Sequence, residues 1–205
     1  MMHPAGCEPL VVIGSSAGGP AALVKLFEAL PADFPAAFVV VQHLEAQFAA
    51  GMASWLDDRA PFAVRVAREG DLLAPGLALL AGSSDHLTLT AGRQLGYTPH
   101  PLDDPYRPSV DVLFRSVATR WHGCVIGVLL TGMGRDGALG LKMLRDRGHH
   151  TIAQDQESSA VYGMPKAAAA LEAAVDILSL DRIAPRLIEL VCGAHDFARP
   201  GDRHE

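Results

Sequence analysis

The chain predicts a doubly wound α/β fold: a mostly parallel sheet flanked by helices, with a short antiparallel β insertion. Apolar runs of strand length alternate with helix-period segments over most of its 205 residues. The run Cys124 to Leu130 is nearly all apolar, as a parallel strand covered on both faces requires. Small-residue turns follow two such runs, at Gly14 to Gly19 and at Thr131 to Gly137, where strand hands over to helix.

Leu10 to Ile13 reads as the first strand, and Pro20 opens a helix to about Leu30, because proline suits a first turn whose N–H has no intrahelical partner. Phe38 to Gln42 is a second strand and Gln47 to Asp58 a second helix. From Ala63 to Thr98 the texture changes to short strands and turns (AVRVA, LALLA, HLTLT, RQLGYT), expected to be antiparallel or loop-rich decoration. Ser109 caps a helix whose apolar residues Val110, Leu113, Phe114, Val117 and Trp121 share one face. Ala138 to Arg147 is a helix ended by Gly148, in the position favoured for a left-handed cap. Thr151 to Gln154 is a strand, and Pro165 to Ala174 and Asp181 to Cys192 are helices.

Composition narrows the function classes. Hydrophobic residues are 49% and charged residues 20%, ordinary globular usage that excludes a disordered chain. Runs such as Val125 to Leu130 fall far short of the ~20 apolar residues that span a bilayer, and MMHPAGCEPL has no secretory pattern. A net charge of −6 argues against a general nucleic-acid binder. Cys7, Cys124 and Cys192 lie far apart without a CxxC pair, so neither a disulfide framework nor a zinc knuckle is expected. Adjacent His149 and His150 would face opposite ways in a strand, and no metal site is expected. The expectation is a cytoplasmic protein with no membrane insertion and one domain over 9–192, followed by a flexible tail over 193–205 that holds His195 and His204.

In open α/β sheets ligands gather beyond the carboxyl ends of the strands. Polar residues there are Ser15 and Ser16, Gln42 and His43, Thr131, Arg135 and Asp136, and Gln154 and Asp155. A serine, a histidine and an aspartate on three strand-end loops can act as nucleophile, general base and orienting carboxylate. Gly14-Ser15-Ser16-Ala17-Gly18 fits the G-x-S-x-G nucleophile turn and selects Ser16. The order serine, histidine, aspartate differs from the order of the α/β-hydrolases. The competing reading is a dinucleotide site for an oxidoreductase. Gly132, Gly134 and Gly137 match G-x-G-x-x-G between strand and helix, and Asp155 ends the following strand. Against it, Asp136 places a carboxylate where a pyrophosphate would bind. Arg107, before the Ser109 helix, either holds a substrate carboxylate or pins a loop.

The segments IGSSAGGP, VVVQHL, RPSVDVLF, LLTGMGRDGALG and TIAQDQESSAVYGMP, in this order, resemble the catalytic domain of the CheB family of chemotaxis protein-glutamate methylesterases from about Leu10 to Val191. The resemblance implies hydrolysis of glutamyl γ-methyl esters on chemoreceptors, and in many members glutamine deamidation. It assigns a triad of Ser16, His43 and Asp136 and an oxyanion site at the backbone N–H of Met133. It implies no organic cofactor. The implied partners are methylated cytoplasmic receptor helices, with a receptor methyltransferase or a separate regulator beside them. Family members often begin with a phosphoacceptor receiver domain, which this chain is expected to lack, and Ala17 stands where they often carry a hydroxyl. A catalytically silent receptor-binding domain is the remaining alternative.

Overall fold

The structure, a computed structural model, describes residues 9–193. Its first half runs β1 (Leu10–Ser15), α1 (Gly19–Glu28), β2 (Ala37–Gln42), α2 (Ala46–Asp57), β3 (Ala63–Val66), β4 (Leu77–Leu80), β5 (His86–Leu89) and β6 (Leu95–Thr98). The second half runs α3 (Val110–Arg120), β7 (Val125–Leu129), α4 (Ala138–Asp146), β8 (His150–Gln154), α5 (Met164–Ala170), β9 (Asp176–Leu178) and α6 (Leu180–Cys192). Seven strands form one sheet in the order β3-β4-β2-β1-β7-β8-β9, and every pairing in it is parallel.

Alternate side chains of the central strands feed two apolar layers, as the two-residue strand period demands. Leu10 and Val12 of β1 pack with α3, α4 and α5, whereas Val11 and Ile13 pack with α1, α2 and α6. From β1 the chain passes outward through α1 to β2, and from β7 it passes the opposite way through α4 to β8. The reversal lies between β1 and β7, and a crevice opens at such a switch point above the carboxyl ends of the strands.

The doubly wound fold and the antiparallel insertion are as expected, the insertion being the β5–β6 hairpin. The reading of 63–98 needs one correction: β3 and β4 are parallel members of the main sheet, not decoration. Each is only four residues long, too short for its pattern to separate an edge strand from a loop. The sheet also gains β9, which falls in the gap between the two last predicted helices, and α5 closes at Ala170 rather than Ala174. The expected tail lies outside the described residues from 194 onward. Among the described residues no helix is long and apolar enough to cross a membrane.

Helices α3 and α4 meet at Gly140, where a Cβ would stand 2.6 Å from Phe114 Cβ and 3.2 Å from the Asp111 backbone. No rotamer relieves a clash with a Cβ and backbone. Gly140→Ala is expected to push the two helices apart and to cost about 1–3 kcal/mol, measured as a lower urea midpoint at unchanged slope.

Candidate active site

Strand register brings the site together. Ser15 pairs with Gln42 across β1 and β2, so the next residues, Ser16 and His43, leave neighbouring strands side by side, and such strands run about 5 Å apart. The His43 N–H donates to Ser15 O at 3.0 Å. On the other side of β1, the Ser16 N–H donates to Thr131 O at 3.0 Å. Gly132 is so near that a Cβ on it would lie 2.8 Å from Ser16 Cβ.

Two buried carboxamides lock these turns. Gln42 Nε2 donates to Ser16 O at 2.9 Å and to His43 O at 3.0 Å, while its Oε1 accepts from Ser15 Oγ at 2.7 Å. One amide thereby fixes the spacing of the serine and histidine loops. Gln154 Oε1 accepts from the Thr131 N–H at 2.8 Å, and Thr131 Oγ1 donates to Ala17 O at 2.9 Å. A polar group ending an otherwise apolar strand was the available signal for both glutamines.

Asp136 is 2% exposed and accepts five hydrogen bonds. Its Oδ2 takes His43 Nε2 at 2.8 Å and the Val110 N–H at 2.7 Å. Its Oδ1 takes Ser109 Oγ, the Asp111 N–H and the Gly137 N–H, each at 2.9 Å. Burial alone would raise its pKa; the bond from His43 and those from the Asp111 and Val110 amides outweigh that and hold it below the ordinary carboxylate value. An ionised carboxylate only accepts, so His43 Nε2 carries the proton of the neutral ring and Nδ1 is left bare to act as base. The Ser16 hydroxyl makes no hydrogen bond to His43, so the structure joins histidine to aspartate and holds the serine in the adjacent register position.

The helix ends exchange carboxylates. Asp136 precedes α4 and receives the first amides of α3, while Asp111 of α3 accepts the Gly140 N–H of α4 at 2.6 Å. Ser109 caps α3 as expected, its Oγ accepting from the Val112 N–H and donating to Asp136. His86, fully buried and missed by the sequence reading, accepts the Ser109 N–H on Nδ1 at 3.1 Å, and its Nε2 lies 3.2 Å from Pro101 O. Its place in the HLTLT alternation suggested only a half-exposed strand.

Arg107 Nε donates to Ser84 O and Nη2 to Asp85 Oδ1, both at 3.2 Å, which ties the segment before α3 to the β4–β5 loop. Of its two readings, these bonds describe the loop pin. The Met133 side chain is exposed, and its N–H has no acceptor among the described residues. The glycine fingerprint of a dinucleotide site is already filled: Asp111 occupies the first turn of α4, and Asp155 Oδ1 is engaged by the Ser158 N–H and Oγ. His150 Nε2 is bonded to Asp176 Oδ2 at 2.8 Å, and no cluster of metal-ligating side chains occurs among the described residues. A cleft of about 610 Å³ opens from Asp136 along Tyr106, Asp111, Arg115, Arg135 and Leu139.

Asp111 differs from Asp136 in having a single strong donor. Burial, with Asp136 as a further repelling charge, pushes it up to about 6. Its ionisation above that pH therefore weakens the fold, and stability through this group rises as the pH falls from about 6 toward the ordinary carboxylate value of ~4. Asp111→Asn keeps an oxygen for Gly140 and removes the charge. It is expected to be more stable than the parent at pH 8 by about 1–2 kcal/mol, with the gain vanishing below pH ~4 in parallel urea titrations.

The CheB methylesterase family model matches residues 11–187. The chain is 61% identical over 186 residues to a protein-glutamate methylesterase/protein-glutamine glutaminase of Burkholderia lata, an alignment covering 91% of this chain and 55% of that protein. It is 60% identical over 187 residues to one of Pseudomonas syringae pv. syringae, covering 91% and 56%. The chain thus spans about half the length of the curated relatives it matches. The crystal structure of the Thermotoga maritima CheB methylesterase catalytic domain superposes with a TM-score of 0.85 at 36% identity, over 92% of this chain and all of that one. A family match across the sheet and both helical layers, and a solved fold of the same kind, agree with the motifs that converge at the switch point: the chain belongs to the CheB methylesterase family.

Proposed function

We propose that residues 9–192 form a catalytic domain that hydrolyses γ-methyl esters of glutamate on cytoplasmic chemoreceptor helices, releasing methanol. The observation that carries this reading is the His43 Nε2 to Asp136 Oδ2 bond, made beside Ser16 at the strand ends. The names of the relatives support it, and they support glutamine deamidation by the same acyl-enzyme route.

Ser16 Oγ attacks the ester carbonyl carbon while His43 Nδ1 takes the hydroxyl proton. Asp136, ionised and accepting from Nε2, fixes the tautomer and stabilises the imidazolium that forms. The oxyanion is held by the Met133 N–H, whose hydrogen-bonding capacity is otherwise unspent; one such donor is typically worth ~3 kcal/mol. Collapse of the tetrahedral intermediate breaks the ester C–O bond, and His43 returns the proton to the departing methanol. Water then attacks the acyl-enzyme with His43 again as base, freeing the glutamate carboxylate and restoring Ser16. Each step uses this chain's residues and water. The reaction removes the methyl groups that a receptor methyltransferase adds, and the work is done in the cytoplasm, where the receptor helices lie.

Ser16→Ala is expected to lower methanol release from a methylated receptor fragment by at least 10⁴-fold, with the melting temperature within about 2 °C of the parent, since no described bond uses the hydroxyl. Mass spectrometry of the same fragments resolves lost methyl groups from converted glutamines. Turnover retained in Ser16→Ala removes the serine from the mechanism.

A further inference from the structure

A single hydrogen bond does not orient an imidazole. The Asp136 carboxylate fixes where His43 Nε2 lies, yet the ring can still turn about that contact and tilt about its own side-chain bond. For Nδ1 to meet Ser16, the ring plane has to be held by something else. Tyr106 lies face to face with it: the ring centroids are 5.2 Å apart and the planes differ by 9°.

Tyr106 is itself anchored at both ends. Its backbone N–H donates to Asp104 Oδ1 at 2.9 Å. Its hydroxyl end is seated against Gly134, where a Cβ would stand 2.3 Å from the phenol oxygen; the φ of +86° there also belongs to glycine. The phenol therefore spans from the histidine loop to the glycine loop that carries Met133. It lines the cleft beside Asp136 and stacks on the imidazole that Asp136 holds.

We infer that Tyr106 is a positioning residue for the proposed esterase, its ring acting as a plate that keeps the His43 plane aligned for proton transfer with Ser16. The inference rests on the esterase reading for its kinetic consequence alone; the constraint on the ring is a property of the resting protein. The phenol face suits a cation better than a neutral ring does, so the contact strengthens as His43 becomes protonated in the transition state. The part that matters is the aromatic plane, and the hydroxyl only seats it.

The test pairs spectroscopy with kinetics on Tyr106→Phe, Tyr106→Ala and Tyr106→Leu, the last retaining bulk without a plane. In protein labelled with ¹⁵N in its histidine rings, the His43 Nε2–H signal, assigned by its absence from His43→Gln, is expected to be sharp and slow to exchange in the parent and in Tyr106→Phe. It is expected to broaden or vanish in Tyr106→Ala and Tyr106→Leu. With a methylated receptor fragment, kcat is expected to fall about ten- to fiftyfold in Ala and Leu with KM within threefold, and to stay within twofold in Phe. A sharp signal and parental kcat in Ala and Leu would falsify the inference. So would a Phe variant as damaged as Ala, or a loss confined to KM, which would make Tyr106 a substrate contact. If the parent protein does not hydrolyse the fragment, the esterase reading fails, and the nitrogen-bound proton signal still decides the role of Tyr106.

Discussion

Two helix N-termini face each other above the sheet, and each is capped by a carboxylate from the other's side. Asp136, arriving on the loop before α4, accepts from the opening amides of α3, and Asp111, in the first turn of α3, accepts from the first turn of α4. Helix starts carry unpaired N–H groups and the positive end of the dipole, so both need an acceptor that water cannot supply in a close-packed contact. Gly140 permits the approach that makes the exchange possible. The placement of His43 hangs on this arrangement, because the same Asp136 that completes α3 also holds the imidazole.

The two acids sit in one electrostatic neighbourhood and end in opposite states, which the donors explain. Asp136 is more deeply buried than Asp111, so desolvation taken alone would make it the weaker acid. It collects five donors, however, among them a histidine and three backbone amides, and its charge is favoured. Asp111 has the Gly140 amide and a repelling neighbour, and its charge is disfavoured. Ranking the two acids by burial gives the opposite order; counting donors gives the order their shifts take. Asp136, held ionised by these donors, accepts from His43 Nε2, which keeps that proton on the histidine.

Most of this was legible in the sequence where periodicity is strong. The apolar runs of β1, β2 and β7 and the helical face of α3 were read directly, and the strand-end rule then drew Ser16, His43 and Asp136 to one edge. What escaped is short or polar. β3, β4 and β9 hold three or four residues each, below the length at which alternation distinguishes a strand. His86 and Tyr106 act through contacts made by neither strand period nor helix period: one lies under the cap of α3, the other lies across an imidazole from an irregular segment between two prolines. Loops reveal composition in a sequence, but their side-chain directions are set by the tertiary structure.

The sheet itself works as a ruler. Parallel strands in register deliver loop residues at one strand spacing, so a serine one residue past β1 and a histidine one residue past β2 stand side by side, and the Gln42 carboxamide fixes that spacing. The third partner cannot come this way, because β7 lies on the far side of β1 from β2. Its carboxylate has to pass over the end of β1 to reach the histidine, and that explains why it is held by five donors drawn from the start of α3, the histidine and its own loop. The loop after β7 crosses under α3 and takes its amides on the way, and Gly14, where a Cβ would stand 2.2 Å from Val110 Cγ1, lets the start of α3 press down onto β1. Helix capping is thus the means by which a residue from the wrong side of the strand is carried to its partner, and the start of α3 and the placement of His43 are secured by the same set of bonds.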